Sequence, residues 1–141
     1  MLKGVPKVVS PELLKVLSEM GHGDEIVLAD SNYPAASNAN LLVRADGVSM
    51  PELLDAVLQL IPLDSYVDSP IALMQPVGDD ELPEIWGVYR SVIESRAGSE
   101  ISVEYIERSA FYERGKKAYA IVATGEGAIY ANIIIKKGVV K

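Results

Sequence analysis

Residues 21–30 carry the sequence Gly21-His22-Gly23-Asp24-Glu25-Ile26-Val27-Leu28-Ala29-Asp30. The apolar run from Glu25 to Ala29 predicts a buried strand, and Asp30 closes it. His22 is the one histidine of the chain, and the unperturbed pKa of histidine, about 6.5, suits proton transfer near neutrality. The two glycines beside it allow a sharp turn or a close backbone approach. His22 is therefore a candidate acid/base residue, and a purely structural histidine is the alternative interpretation.

The rest of the chain alternates helices with short apolar strands. Ser10 as N-cap and Pro11 in the first turn begin a helix whose apolar stripe ends at Met20, with Gly21 as the residue that stops it. Ser49 and Glu52 have capping-box spacing at a second helix start. Helices are predicted over residues 50–61, 83–95 and 109–116, strands over 41–43, 71–77, 101–106, 118–123 and 128–135, and a polar loop over 31–38. This order predicts a single α/β domain over residues 1–141, a layered sandwich with a mixed sheet flanked by helices.

Composition restricts the classes of partner. The net charge of −7 argues against a nucleic-acid partner, which needs clustered Lys and Arg. No apolar stretch approaches the roughly 18 residues that a membrane span requires, and residues 1–6 lack the apolar region of a signal peptide. The absence of cysteine excludes disulfides and suits a reducing cytoplasm. We therefore expect a cytoplasmic protein that binds a small molecule or a protein, with no nucleic-acid or membrane partner.

Polar residues stand at the ends of several predicted strands, where α/β sheets tend to bind ligands. They are Asp30, Arg108, Tyr130 and Asn132. Tyr130 and Asn132 are two residues apart, so on a strand they would share one face. Each has a plain alternative: a loop cap for Asp30, a surface or ion-pair residue for Arg108, and a solvent-facing or subunit-facing edge for the Tyr130–Asn132 pair.

Several kinds of chemistry have no support in the sequence. One histidine and no cysteine, with no helical carboxylate pair at ligand spacing, give no metal site. The Gly125-Glu126-Gly127 turn lacks the glycine spacing and the Lys-Ser/Thr of a phosphate loop. No G-x-S-x-G nucleophile elbow occurs. The remaining candidate chemistry is proton transfer at His22.

His22 and Asp30 lie on opposite sides of one predicted strand. Five extended residues span about 16 Å, so both side chains cannot reach one small ligand within a subunit unless the His22 loop folds back. Neighbouring subunits could instead supply them across an interface. We favour such a site between subunits.

The same segments resemble the ribose pyranase/fucose mutarotase family. The resemblance rests on residues 21–30, on Asn32-Tyr33-Pro34-Ala35, on Arg44-Ala45-Asp46-Gly47, on Leu63-Asp64-Ser65-Tyr66, on Thr124-Gly125-Glu126, on Tyr130-Ala131-Asn132-Ile133-Ile134 and on Lys136-Lys137-Gly138-Val139. It covers essentially the whole chain in order. Arg108, followed by Ala110-Phe111-Tyr112-Glu113-Arg114, is similar to the L-fucose mutarotase branch, although that branch often carries His at Ala36 and Phe at Ser109.

The resemblance implies a cofactor-free isomerase that interconverts sugar anomers, assembled as a ring-type homo-oligomer, commonly a decamer, with shared sites. Ring opening needs one proton delivered to the ring oxygen and one removed from the anomeric hydroxyl, which is general acid/base work. On this hypothesis His22 is the proton donor. The substrate-binding residues are Asp30, Arg108, Tyr130, Ala131 through its backbone, and Asn132.

Three other functions stay open at this stage. A pyranase would interconvert pyranose and furanose forms of ribose or another pentose. A non-catalytic sugar-binding module would keep Asp30, Arg108 and Asn132 while making His22 dispensable. A purely structural oligomer would bind no sugar, and a thermal-shift screen with sugars would separate it from the other readings.

Overall fold

Five helices and six strands alternate along the chain in the computed structural model, which describes residues Met1–Lys141. The helices are α1 (Pro11–Glu19), α2 (Ala35–Asn38), α3 (Met50–Leu60), α4 (Ile85–Ala97) and α5 (Arg108–Lys117). The strands are β1 (Glu25–Ala29), β2 (Leu42–Ala45), β3 (Ile71–Met74), β4 (Val103–Ile106), β5 (Ala120–Thr124) and β6 (Ile133–Lys136).

The strands form one mixed sheet in the order β2-β5-β1-β6-β3-β4. β1 pairs with β5, β2 with β5 and β3 with β4 in parallel, whereas β6 runs antiparallel to both β1 and β3. Five strands therefore point the same way, and their carboxyl ends meet the amino end of β6 at one edge of the sheet. That edge is where an α/β sheet tends to bind its ligand.

Side chains of successive strand residues alternate between two separate cores. Ile26 and Leu28 face a core of 22 buried residues that also takes up apolar residues of α1, α3 and α4. Val27 and Ala29 face a core of 11 buried residues on the other side, packed against α2 and α5. Covering both faces explains why β1 is an almost unbroken apolar run. The predicted α/β layered sandwich, a mixed sheet flanked by helices, is confirmed.

Two helix starts with similar sequences are capped differently. The Ser10 hydroxyl accepts a hydrogen bond from the Leu13 backbone N–H at 3.1 Å, as an N-cap should. Ser49 has the same spacing, but its side chain makes no capping hydrogen bond. α5 begins at Arg108, one residue earlier than predicted, because the Glu107 carboxylate caps it by accepting from the Ser109 and Ala110 N–H groups.

Most other boundaries differ from the sequence predictions by one or two residues, and three features differ by more. Residues 35–38 of the predicted loop form the helical turn α2. β3 ends at Met74 instead of residue 77, two residues before Pro76, which has no N–H for a sheet ladder. β6 starts at Ile133 instead of 128, because the chain before it turns and Tyr130 has a φ of 53°. Tyr130 and Asn132 are therefore not a pair on one strand face.

No helix in the structure is long and apolar enough to cross a bilayer.

Candidate functional site

A pocket of about 310 Å³ opens at the edge of the sheet where the parallel strands end. Polar side chains line it after β1, at the start of α5 and before β6: Asp30, Asn32, Arg108, Asn132, and the tyrosines Tyr33, Tyr112 and Tyr130. Its apolar wall consists of Met74, Val77 and Ile129. A polar lining with one apolar side suits a small hydroxylated ligand that also carries an apolar group.

Asp30 is the carboxylate at the base of this pocket, and only 4% of it is exposed. Burial raises the pKa of the Asp30 carboxyl, although hydrogen bonds from the backbone of Asn32, Ala131 and Tyr33 oppose that rise. The Asn32 N–H donates to Asp30 Oδ1 at 3.0 Å. The carboxylate is thus fixed by backbone donors and has no cationic partner, which leaves it able to accept hydrogen bonds from a ligand.

Asn132 is held beside Asp30. The backbone N–H of Asp30 donates to Asn132 Oδ1 at 2.8 Å, and both residues are buried. The Asn132 amide group also donates to the Asp30 carboxylate, which favours the ionised form, and the second amide N–H is left to donate to a ligand.

Helix α4 fixes the backbone of residues 130 and 131. The indole N–H of Trp86 donates to the carbonyl of Tyr130 at 2.9 Å, and the Tyr89 hydroxyl donates to the carbonyl of Ala131 at 2.7 Å. These bonds compensate for the left-handed backbone of Tyr130, which is uncommon for a residue other than glycine. Ala131 itself is fully buried and contributes its N–H near Asp30.

Arg108 brings the one cation of the pocket lining. Its guanidinium carbon lies 5.5 Å from the centre of the Tyr112 ring, and the Tyr112 ring is 5.3 Å from that of Tyr33. Arg108 and Tyr112 are four residues apart on α5, so they share one face of the helix. This cation–π contact holds the guanidinium beside Tyr112, and the five N–H donors of an arginine are more than one phenol can use, so donors remain for a ligand.

His22 lies at the other end of β1 and lines no part of this pocket. Its Nε2 atom is 3.0 Å from Oδ1 of Asp64, and its ring is 5.3 Å from that of Tyr66. The side chain of Asp64 is 4% exposed and that of His22 is 46% exposed. The imidazole therefore contacts a buried carboxylate through Nε2, while about half of the side chain is exposed to solvent.

The pKa of the Asp64 carboxyl is shifted in the opposite direction to that of Asp30. The Tyr66 backbone N–H donates to Asp64 Oδ1 at 3.0 Å, and this bond, followed by the one to His22, lowers the pKa of Asp64. An ionised Asp64 can only accept, so Nε2 of His22 carries the proton of their hydrogen bond. Nδ1 is then the nitrogen of His22 that is available to a ligand.

The six predicted site residues thus fall into two places. Asp30, Arg108, Tyr130 and Asn132 line the pocket, with Ala131 directly behind it, and His22 is apart from them. Sequence reasoning missed Asp64 and Tyr112. The four-residue spacing from Arg108 was a signal for Tyr112, whereas nothing local connects Asp64 to His22, 42 residues away.

The chain is similar over nearly its whole length to known proteins of one family. The model of the RbsD / FucU transport protein family matches residues 3–140. A human fucose mutarotase is 53% identical over 145 residues, covering 98% of this chain and 94% of the relative. An L-fucose mutarotase of Actinobacillus pleuropneumoniae is 52% identical over 140 residues, covering 99% and 97% of the two chains.

Solved structures give the same grouping. The fucose mutarotase of Streptococcus pneumoniae, solved in complex with L-fucose, is 63% identical with a TM-score of 0.97, covering 99% of this chain and 100% of that one. RbsD of Bacillus subtilis, solved with D-ribose, is 22% identical with a TM-score of 0.76 over the full length of both chains, a likeness of fold alone. The resemblance seen in the sequence is confirmed: this chain belongs to the RbsD/FucU family.

Proposed function

We propose that this protein is a mutarotase that interconverts the α and β anomers of L-fucose by opening and reclosing the sugar ring. The observation that carries the proposal is the pocket in which Asp30, Arg108, Tyr130 and Asn132 converge. The complex of the Streptococcus pneumoniae relative with L-fucose supports the choice of sugar.

The pocket residues bind and orient the sugar in this proposal. Asp30 accepts hydrogen bonds from sugar hydroxyls, and Arg108 and the Asn132 amide donate to sugar oxygens. The apolar wall of Met74, Val77 and Ile129 suits the methyl group that a 6-deoxy sugar such as L-fucose carries in place of a hydroxymethyl. A site built this way discriminates against sugars with a different hydroxyl pattern, because its buried polar groups would be left unpaired.

His22 moves the proton. Mutarotation requires a proton at the ring oxygen and removal of one from the anomeric hydroxyl, and neither step requires a cofactor. General acid/base catalysis by a positioned side chain contributes typically about 10²–10⁴-fold. Asp64 orients the imidazole through Nε2, which leaves Nδ1 to exchange a proton with the sugar or with a bridging water.

The His22 that serves each pocket comes from a neighbouring subunit. Within one chain the strand β1 separates His22 from Asp30, a distance of about 16 Å for five extended residues. A second copy that docks its His22 beside the pocket completes the acid/base set. We accordingly propose a homo-oligomer with sites between subunits, a ring-type decamer being the assembly implied by the family resemblance. The lack of cysteine suits a cytoplasmic location.

Saturation-transfer proton NMR tests the activity directly. The α and β anomeric signals of L-fucose are followed with and without the purified protein, and D-ribose serves as the matched sugar. We expect accelerated exchange on L-fucose. Acceleration on ribose alone would instead identify a pyranase, and binding of L-fucose without faster exchange would identify a sugar-binding module.

A further inference from the structure

The phenol oxygen of Tyr130 is held by two groups of the segment between β3 and α4. The Tyr130 hydroxyl donates to Oδ2 of Asp80 at 2.5 Å, and it accepts a hydrogen bond from the Val77 backbone N–H at 3.2 Å. A distance of 2.5 Å is at the short end for an O–H···O⁻ hydrogen bond. Asp80 is not among the residues that line the pocket, whereas Tyr130, which it binds, is.

A tight turn places both groups on the same oxygen. The Asp80 N–H bonds back to the carbonyl of Val77 at 3.3 Å, and Gly78 within the turn has a φ of 61°. A left-handed conformation at this position favours glycine. The turn therefore directs the Val77 N–H and the Asp80 carboxylate to the same phenol oxygen, where each makes one hydrogen bond.

The backbone of Tyr130 is fixed independently of these two hydrogen bonds. Trp86 of α4 binds the Tyr130 carbonyl, and the left-handed φ of 53° sets the direction of the side chain. Losing Asp80 should therefore leave the backbone of Tyr130 in place and free only the phenol. This separation makes a role in positioning distinguishable from a role in folding.

The partners of the phenol decide how it acts in the pocket. A phenol donates one proton and has one favourable in-plane acceptor position, because its second lone pair is conjugated with the ring. Asp80 takes the proton and the Val77 N–H takes the acceptor position, so both strong hydrogen bonds of the oxygen are made within the chain. We infer that Asp80 is a positioning residue of the sugar site, which holds the Tyr130 ring in place as a wall of the pocket against which the sugar packs. This inference rests on the proposed function and adds a residue to it.

A double-mutant cycle on L-fucose binding tests the inference. Asp80→Ala, Tyr130→Phe and the double variant are compared by titration calorimetry, with anomeric exchange measured by NMR on the same samples. Asp80→Ala should weaken L-fucose binding by about threefold to tenfold, the equivalent of one lost hydrogen bond, because the Tyr130 ring is no longer held in place. In the Tyr130→Phe background the same substitution should change affinity by less than about twofold, because the phenol through which it acts is gone.

Two further variants separate positioning from general effects. Asp80→Asn keeps a carbonyl oxygen that can accept the phenol proton, so it should retain most of the affinity that Asp80→Ala loses. Asp79→Ala removes the neighbouring carboxylate, for which no hydrogen bond to Tyr130 exists, and should bind as the wild type does. All variants should melt within a few degrees of the wild type, because Asp79 and Asp80 are exposed and Tyr130→Phe removes only a hydroxyl from a half-buried side chain.

Separate results would overturn the inference and the proposed function. A wild-type protein that binds L-fucose, combined with Asp80→Ala and Tyr130→Phe effects that multiply in the double variant, would overturn the inference alone. An Asp80→Ala protein with unchanged affinity would do the same. A wild-type protein that neither binds nor exchanges L-fucose would overturn the proposed function, and the inference with it.

Discussion

A buried aspartate lies near each end of strand β1, and the pKa values of the two carboxyl groups are shifted in opposite directions. Asp30 at the carboxyl end is 4% exposed and Asp64, beside the amino end, is 5% exposed. Burial raises the pKa of Asp30. The pKa of Asp64 is lowered, chiefly by the hydrogen bond from the Tyr66 backbone and then by His22.

Two aspartates that are buried to the same extent thus have pKa values shifted in opposite directions. The cause is the hydrogen-bond partner that each carboxylate has within the chain. Asp64 accepts hydrogen bonds from the Tyr66 backbone and from the His22 imidazole, and both stabilise its ionised form. Asp30 has backbone and amide donors but no cation, so part of its hydrogen-bonding capacity is unused. A buried carboxylate with unused capacity at a pocket is a candidate ligand-binding group, whereas Asp64 is placed to orient the imidazole of His22.

The largest expected effect is that of His22→Asn on catalysis. Asparagine keeps a polar group near Asp64 but cannot transfer a proton near neutral pH. We expect anomeric exchange of L-fucose to slow by about 10²–10⁴-fold, with binding of L-fucose still measurable by calorimetry. Exchange at close to the wild-type rate would remove His22 from the reaction and with it the functional difference between the two ends of β1.

Asp30→Ala should act on binding. Removal of a charged acceptor from a buried site loses a hydrogen bond worth about 1.5–3 kcal/mol, so affinity for L-fucose should fall by about tenfold to a hundredfold. Calorimetric titration measures this directly. Glu113→Ala, a change at an exposed carboxylate on the same side of the sheet, provides the control. Unchanged affinity in Asp30→Ala would place the sugar outside the pocket.

The pH dependence of stability should have opposite signs at the two aspartates. The raised pKa of Asp30 makes its ionisation destabilising, a penalty that is absent in acid and grows as pH rises from about 4 through the folded pKa. Asp30→Asn should therefore gain stability over the wild type with rising pH. Asp64 contributes stability above its ordinary pKa that is lost as pH falls through its lowered folded value. Asp64→Asn should be less stable at neutral pH and match the wild type in acid.

Urea unfolding of both variants and the wild type across pH 2.5–7 measures these differences. Curves of the same sign for the two variants would show that the aspartates do not differ in the way described above.

The smallest expected effect is that of Tyr33→Phe, at a tyrosine that lines the pocket. The Tyr33 hydroxyl is buried without a hydrogen-bond partner, and it lies so close to Gly115 that there is no room for a β-carbon there. Burial also raises the pKa of Tyr33 to about 12. Tyr33→Phe removes an unsatisfied buried group, so it should stabilise the protein by about 1 kcal/mol, a rise of about 3 °C in Tm. A lower Tm in thermal denaturation would mean that the hydroxyl has a partner in solution.

Local patterns predicted most of the fold. The helices α1, α3 and α4 and the strand β1 follow from apolar periodicity, because each buries one stripe or both faces against a neighbour. The start of β6 could not be predicted, since it depends on Trp86 and Tyr89 binding the carbonyls of residues 130 and 131. α2 was missed because four residues carry too little periodicity to distinguish a helical turn from a loop.

Some of the pocket residues were also predictable, because they lie next to strands that the local sequence predicts. Asp30, Arg108 and Asn132 stand next to strands, and the parallel order of the sheet brings strand ends together. Asp64 and Asp80 were not predictable, because each acts on a residue at least 42 positions away that only the tertiary fold brings near.

The most direct test of a site divided between the two ends of β1 is subunit complementation. His22→Asn and Asp30→Ala chains with different affinity tags are co-expressed, and particles that carry both tags are purified and assayed for L-fucose exchange. Random pairing in a closed symmetric assembly gives about one site in four with an intact His22 from one subunit and an intact Asp30 from its neighbour. At an L-fucose concentration well below saturation, we expect the mixed particles to recover about that fraction of wild-type activity, whereas each variant alone retains no more than about a tenth of the wild-type activity. Mixed particles no more active than the two variants alone would contradict a site shared between subunits.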